Sequence, residues 1–484
     1  MSKDKLSQTF NKPVKNVINI GKLTLNHWMA WMIGLSIFLG SGALIYGVLQ
    51  PRTTYIINSP PPTTPGEKLS DAEKAKAQTI VDSSRKATQA NPNDATAWTN
   101  LGEALRRTGD LSGAQQAQEK ALQINPKLTE AKLGLALIKK DQGKTAEVIP
   151  ELRTIAEEGK SASAYLNLGY LLDEKKDSSG AEAAYRKSIA LNPNDAVAHN
   201  SLGTALYTQK KLEDAITSYQ TAIRINPNYA SAHNGLGAAL YAQKKLEDTI
   251  TSYQTAIRIN PNIAAFHNNL GVVLRYKGKL EDAIVSYQTA IRINPNLAEA
   301  HHGLGRTLYD QGKMDSAIAS YQTTLRINPN FAEAHCDLGV VLRYKGKLED
   351  AIASYQTAIR INPNYVDSHY NLGLALYNQE KLEDAIASYQ TAIRINPNYA
   401  LAHNNVGLAL SDQGKLEDAI ASYQTAIRIN PNLAQAHFNL GLIFKQQGKK
   451  LDAIAQFQKA CPLYQQKGDN KKVADIDRLI QELS

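Results

Sequence analysis

Motifs typical of catalysis or of metal binding are lacking in this sequence. Its 484 residues include only two cysteines, Cys336 and Cys461, and contain no Gly-rich phosphate loop, nucleophile elbow or Cys/His cluster. Adjacent acids such as Glu213 and Asp214 recur, but neighbouring residues on a helix diverge by about 100°, so these are not paired catalytic carboxylates. We therefore predict a protein that is not an enzyme and that needs no cofactor or metal.

The body of the chain also lacks concentrated positive charge. The formal net charge is +9, but +5 of it lies before residue 53, which leaves +4 for everything that follows. The charged residues of that first part are Lys3, Lys5, Lys12, Lys15, Lys22 and Arg52, opposed only by Asp4. A charge this dilute over the rest of the chain does not argue for nucleic acid as a partner.

What the sequence has in abundance is repetition. An Asn-Pro pair returns every 34 residues, with its proline at Pro193, Pro227, Pro261, Pro295, Pro329, Pro363, Pro397 and Pro431. A fixed period of this length is the sequence signature of a solenoid. The usual expectation of about three globular domains for such a length is therefore replaced by one elongated array.

Each repeat reads as two amphipathic helices. In residues 196–229, apolar and small residues follow helical spacing in two runs, which a Lys- or Gly-containing turn separates and Pro227 ends. Gly203 and Ala215 are small enough to let the two helix backbones approach, and Tyr219 fills the remaining space. One helix pair leaves an apolar face uncovered, so each repeat needs its neighbours.

This unit resembles the tetratricopeptide repeat (TPR). The residues that carry the resemblance are His199, Leu202, Gly203, Ala215, Tyr219, Ala222 and Pro227. It implies an all-α fold, a right-handed α-solenoid superhelix of about eleven helix pairs, in which Gly203, Ala215, Tyr219, Ala222 and Pro227 form the repeat framework. It also implies that the first helix of each pair lines a concave groove that binds other proteins.

The chain divides into six predicted segments. They are a basic N-terminus (1–26), a transmembrane helix (27–50), a Pro-rich linker (51–70), a half-repeat helix (71–94), eleven TPR repeats (95–467) and a C-terminal capping helix (468–484).

The transmembrane helix is predicted from residues 28–49, which carry no charge and would reach about 33 Å as a helix. The alternative is a cleaved signal peptide. Five lysines precede the span, so a signal-anchor would keep the N-terminus cytoplasmic and place the repeats outside, in the periplasm of a bacterium; the opposite orientation, with cytoplasmic repeats, remains the alternative. Small residues on one face of the span would also allow two spans to pack closely, so a homodimer through the span is a further alternative.

Eight histidines occupy one position in successive repeats, from His199 to His437. They stand where Trp98 and Tyr165 stand in earlier repeats, and equivalent atoms of stacked repeats lie too far apart to share a metal. We therefore predict that these histidines pack in the fold.

Candidate binding residues lie on the first helices, where the copies differ. Asparagines stand at the place where the solenoids of O-linked N-acetylglucosamine transferases carry an asparagine ladder, and the resemblance implies that they bind peptide backbone. They are Asn100, Asn167, Asn269, Asn371, Asn405 and Asn439, interrupted by Gly134, Ser201, Gly235, Gly303 and Asp337. A second set, at a place further along the same helix, combines residue types common in binding hot spots: Tyr207, Tyr241, Arg275, Tyr309, Arg343 and Tyr377.

From these patterns we predict a membrane-anchored TPR scaffold that recruits extended segments or assembly intermediates of other proteins through its groove. Two alternatives remain at this stage. One is a substrate-recruiting subunit of a glycosyltransferase-type complex, and the other is a purely structural homo-oligomer.

Overall fold

The computed structural model describes residues 71–484, and this part of the chain is all-helical, with 24 helices. It forms two compact units, whose described parts are residues 71–273 (the N-terminal unit) and 274–484 (the C-terminal unit). The N-terminal unit contains α1 Asp71–Ala90, α2 Ala95–Thr108, α3 Leu111–Ile124, α4 Thr129–Asp141, α5 Thr145–Gly159, α6 Ala162–Glu174, α7 Ser178–Leu191, α8 Ala196–Thr208, α9 Leu212–Ile225, α10 Ala230–Ala242, α11 Leu246–Ile259 and most of α12 Ala264–Tyr276. The C-terminal unit continues with α13 Leu280–Ile293, α14 Ala298–Asp310, α15 Met314–Ile327, α16 Ala332–Tyr344, α17 Leu348–Ile361, α18 Val366–Asn378, α19 Leu382–Ile395, α20 Ala400–Asp412, α21 Leu416–Ile429, α22 Ala434–Gln446, α23 Lys450–Gln466 and α24 Asn470–Leu483.

The predicted fold class needs one correction, because it placed a transmembrane helix ahead of the solenoid. None of the helices between residues 71 and 484 is both long enough and apolar enough to cross a membrane. Residues 27–50, on which that prediction rested, lie outside the described residues, as do the basic N-terminus and the Pro-rich linker. The fold class is therefore an all-helical solenoid alone. The predicted orientation of the repeats relative to a membrane depended on the same segment, and no observation tests it.

Within a repeat, the turn between the helices requires a left-handed backbone. Glycine supplies it at Gly278 (φ 74°) and at the equivalent glycines 312, 346, 414 and 448, but Lys210 and Lys244 adopt the same conformation at φ 62°. A side chain in this region carries a steric penalty, which glycine avoids. The second helix then begins at an acidic first turn, such as Glu213 and Asp214, where the helix dipole favours negative charge.

The core of each repeat is built around one large side chain. Tyr219 is fully buried, as are Ala215 and Ala222 on the same helix. A Cβ added to Gly203 would lie 2.8 Å from the Tyr219 ring, and one added to Gly235 in the next repeat would lie 2.4 Å from it. The ring therefore fills the space between two first helices.

The first and second helices differ in how they meet their counterparts in the next repeat. Consecutive first helices touch in both units, as α2 and α4, α8 and α10, α14 and α16, α16 and α18, and α20 and α22 do. Among the described helices, no pair of consecutive second helices makes comparable contact. The first helices therefore form the inner face of each unit, and the second helices form the outer face.

Candidate protein-binding face

The inner face can be described by counting positions from the first residue of each first helix, so that Ala196 is position 1. The predicted asparagines stand at position 6, and the predicted tyrosines and arginines stand at position 12. Positions 5, 6, 9, 12 and 13 point in one general direction, because residues three or four apart share a helix face.

Position 6 of one repeat meets position 5 of the repeat before it, 35 residues earlier, in what we call the amide pairs. In the N-terminal unit, Asn269 Nδ2 donates to Asn234 Oδ1 at 3.0 Å, and both side chains are buried. In the C-terminal unit, Asn405 donates to the Tyr370 hydroxyl at 3.1 Å, and Asn439 donates to Asn404 Oδ1 at 3.3 Å. These asparagines therefore join consecutive repeats.

The other predicted asparagines lie in different surroundings. Asn371 Nδ2 donates to the backbone carbonyl of Asp367 in its own helix at 2.8 Å, and it makes only a weak contact with Cys336 Sγ of the preceding repeat, at 4.0 Å. Asn167 donates to the backbone carbonyl of Ser163 in its own helix at 2.8 Å. Asn100 is exposed and lines a shallow cavity between α1 and α2. The six asparagines thus do not form one continuous row of free amides. Their predicted role in binding peptide backbone stays a prediction.

A second series of contacts joins position 12 of one repeat to position 13 of the next; we call these the last-turn pairs. In the C-terminal unit, Arg275 Nε lies 2.7 Å from Asp310 Oδ2, and the Tyr377 hydroxyl donates to Asp412. Tyr309 packs against Tyr344 with 6.2 Å between ring centroids.

The N-terminal unit makes last-turn pairs with other residues. Arg106 Nη1 lies 2.7 Å from Asp141 Oδ2, and Lys140 Nζ lies 3.0 Å from Glu174 Oε1. Tyr207 and Tyr241 occupy position 12 in later repeats of this unit. In the C-terminal unit, Arg343 differs, because its guanidinium lies 4.6 Å from the ring of Tyr344 in its own helix.

At one junction between repeats, charged side chains stand at positions 5 and 6 in place of an amide pair. His302 Nε2 lies 2.9 Å from Asp337 Oδ2, and Arg306 Nε lies 3.6 Å from the same oxygen. Burial acts to raise the pKa of Asp337, but the hydrogen bond from His302 and the charge of Arg306 outweigh it, so the pKa stays below its usual value. The Asp337 side chain is 27% exposed to solvent, so this charged group is accessible on the inner face.

Between the amide pairs and the last-turn pairs runs a set of apolar side chains at position 9, which we call the inner row. In the C-terminal unit it consists of Val340, Leu374, Leu408 and Leu442 in four consecutive repeats. The first three are half-buried and Leu442 is 37% exposed, whereas Val341 and Leu440 on the same helices are buried. Sequence reasoning missed this row, although its spacing of three residues from positions 6 and 12 places it on the same helix face.

The histidines at position 4 bind the loop that precedes them. In all eight, from His199 to His437, Nε2 lies within hydrogen-bond distance of the proline carbonyl six residues earlier, at 3.0 Å for both His199 and His437. Since a carbonyl only accepts, Nε2 carries the proton. Trp98 Nε1 makes the same bond to Pro92 at 2.9 Å. Across residues 71–484, no group of three or more His, Cys, Asp or Glu side chains is placed to hold a metal ion.

The fold and these faces define a class, the helical-repeat proteins whose stacked helix pairs present one long inner surface. Family models of the TPR repeat match residues 203–448 in overlapping segments, and those of the tetratricopeptide repeat match 95–128, 162–195, 184–217 and 434–467. The chain belongs to the tetratricopeptide repeat family.

Three solved structures are among those similar to this chain. The crystal structure of YrrB, described as a TPR protein with an unusual peptide-binding site, is 25% identical, covers 41% of this chain and 99% of YrrB, and has a TM-score of 0.33. That of MamA is 29% identical and covers 34% of this chain and 97% of MamA, with a TM-score of 0.32. The human IFIT1 dimer with PPP-AAAA is 17% identical and covers 83% of this chain and 96% of IFIT1, with a TM-score of 0.46. No curated protein matches the chain.

Proposed function

We propose that this chain is a non-catalytic scaffold, which binds a segment of another protein along the inner face of its repeats. The observation that carries the proposal is the inner row, since four apolar side chains stay accessible in consecutive repeats while their neighbours are buried. Family membership supports it, because TPR proteins bind peptides or other proteins.

The surroundings of the inner row suit a peptide. Polar groups of the amide pairs, such as Asn405 and Tyr370, flank it on one side. Tyr377 and Asp412 of the last-turn pairs flank it on the other. A typical recognition site has an apolar centre and a few fixed polar groups at its rim. Because these polar groups already bond to the neighbouring repeat, their positions are fixed before a partner arrives, which lowers the entropy cost of binding.

An extended segment is the expected ligand. The row advances by one side chain per repeat, and packed helices lie about 8–10 Å apart. An extended chain covers this distance with about three residues. Several weak apolar contacts along one chain would then add to a useful affinity.

The test is a peptide-display selection on the full chain, followed by affinity measurements on the enriched peptides by fluorescence anisotropy. Leu374→Glu combined with Leu408→Glu should weaken these peptides at least about tenfold, because the variant places charge where apolar side chains dock. The matched control is Ala387→Glu combined with Ala421→Glu, which adds the same charge at exposed sites on the second helices and should leave the affinity unchanged. Equal affinity for the wild type and the inner-row variant would contradict the proposal, provided circular dichroism shows both folded.

A further inference from the structure

The outer face of the C-terminal unit carries a regular series of arginines, which we call the arginine row. It consists of Arg292, Arg326, Arg360, Arg394 and Arg428, one in the last turn of each second helix. All five are exposed. The series ends at the next repeat, where Pro462 stands at the equivalent position.

These arginines differ from several other cations of the same unit, which are paired. Arg275, Arg306, Lys345 and Lys445 of the same unit each contact a carboxylate. None of the five arginines of the row has an ion pair or a side-chain hydrogen bond within the part of the chain that the structure describes. Their guanidinium groups are therefore available to a ligand.

The carboxylates of the same helices lie at the opposite end. Glu349 and Asp350 open α17, ten residues before Arg360, which is about 15 Å along a helix. This exceeds the Debye length of about 8 Å at physiological salt. Glu349 also accepts a hydrogen bond from Gln379 of the next repeat at 2.9 Å, as Glu281, Glu383 and Glu417 do from their own glutamines. An anion at the arginine row is therefore little repelled by these acids.

We infer that the arginine row is a docking surface for an extended acidic segment of another polypeptide. Adjacent arginines are separated by more than about 10 Å, because consecutive second helices do not pack directly on one another, so at least three residues of an extended chain lie between successive contacts. Acidic residues spaced along such a segment can therefore reach successive guanidinium groups, which bind carboxylates with a pair of hydrogen bonds. Exposed glutamines one turn earlier, such as Gln356 and Gln390, can bond to the backbone of the segment.

Nucleic acid fits this surface less well. Proteins that hold single strands stack the bases on aromatic side chains. The tyrosines of these second helices, such as Tyr355 and Tyr389, are buried in the repeat cores. The outer face of the second helices therefore offers cations and amides but no ring for a base.

The experiment measures how the full chain binds fluorescent poly-L-glutamate by anisotropy at low salt. The row has four intervals and spans more than about 40 Å, so the polymer needs well over 12 residues to reach all of it. Arg326→Gln, Arg360→Gln and Arg394→Gln together should weaken binding at least about tenfold. The matched control, Lys313→Gln, Lys347→Gln and Lys381→Gln, removes the same charge from exposed residues at the other end of these helices and should change binding less than about twofold. Replacing the three arginines by lysine should weaken binding less than the glutamine variant does, because lysine keeps the charge but cannot form the paired hydrogen bonds.

Three outcomes would overturn the inference. Equal weakening by the arginine and lysine variants would mean that net charge alone attracts the polymer. Absence of binding to the wild type would remove the surface as a docking site. Tighter binding of oligothymidylate than of polyglutamate, lost in the arginine variant, would make nucleic acid the ligand. None of these results bears on peptide binding at the inner row, so the two proposals fail independently.

Discussion

Replacing Asp173 by asparagine should stabilise the N-terminal unit at neutral pH. Asp173 lies near the end of α6 and accepts a hydrogen bond from the hydroxyl of the buried Tyr185 at 2.8 Å. Burial raises the pKa of Asp173 to about 6, and the nearby charge of Asp177 adds to this, although the hydrogen bond from Tyr185 acts in the opposite direction. Asparagine has the same shape, keeps an oxygen that can accept this bond, and carries no charge.

The pKa of Asp173 determines the sign and the size of the change in the free energy of unfolding that Asp173→Asn causes. Because the pKa in the folded chain lies above the value near 4 of an unfolded chain, the native state binds the proton more tightly. The free energy of unfolding therefore falls as the pH rises from about 4 to about 6. Above this range the native state bears the full destabilisation that comes from burying the ionised carboxylate. A shift of about two pKa units corresponds to about 3 kcal/mol. Asp173→Asn should recover up to this amount at pH 7.5 and very little at pH 4.

The assay is denaturant unfolding of the full chain and of Asp173→Asn at pH 4, 6 and 7.5, together with hydrogen exchange of α6 and α7. Exchange is needed because repeat arrays unfold locally, and a change in one repeat is diluted in the signal of the whole chain. Thr217→Asn, at an exposed site on α9 with no titratable group, is the control and should show no comparable difference between the three pH values. A stability difference of the same size at all three pH values, or a loss of stability at pH 7.5, would refute this account of Asp173.

Two further predictions concern the repeat framework. Gly235→Ala should lower the free energy of unfolding by about 1–3 kcal/mol, because the new Cβ would lie 2.4 Å from a Tyr219 ring that is fully buried; an unchanged thermal midpoint would mean that the ring can move aside. His369→Phe should lower the free energy of unfolding by about 1 kcal/mol, because it removes the 2.9 Å hydrogen bond to the Pro363 carbonyl. His369→Trp should keep this hydrogen bond, as Trp98 does with the Pro92 carbonyl. Equal thermal stability of the Phe and Trp variants would rule out the hydrogen bond as the reason for histidine at this position.

Much of the described fold follows from the sequence, because its signals are local. Pro227 and the left-handed turn at Lys210 end the two helices of their repeat, and the 34-residue period repeats both signals. The small residues Gly203 and Ala215 indicate where two helices approach closely, and Tyr219 fills the space between them. By contrast, the charge-free segment 28–49 suggested a transmembrane helix that is not part of the described fold.

The candidate site was harder to derive, because it depends on contacts between repeats. Asn405 was recognisable as polar and variable, but its bond to Tyr370 joins residues 35 apart and depends on how two helices stack. The same limit applies to the inner row, since Leu374 and Leu440 are both apolar and only the stacking leaves the first of them half-exposed. The arginine row could not be predicted from the composition either, because the net charge of the chain does not show that five arginines share one face.

The amide pairs bear on how such a chain can gain or lose repeats during evolution. Near-identical second helices favour recombination between copies, and each event joins two first helices that were not neighbours before. Removal of residues 366–399 would place Cys336 opposite Asn405, so that the weak sulfur contact that Cys336 now makes with Asn371 at 4.0 Å would replace the bond from Asn405 to the Tyr370 hydroxyl. Removal of residues 400–433 would instead place Tyr370 opposite Asn439, another asparagine that can donate to its hydroxyl. The side chains at positions 5 and 6 therefore determine which deletions leave a well-joined array, so copies with almost the same sequence are not interchangeable.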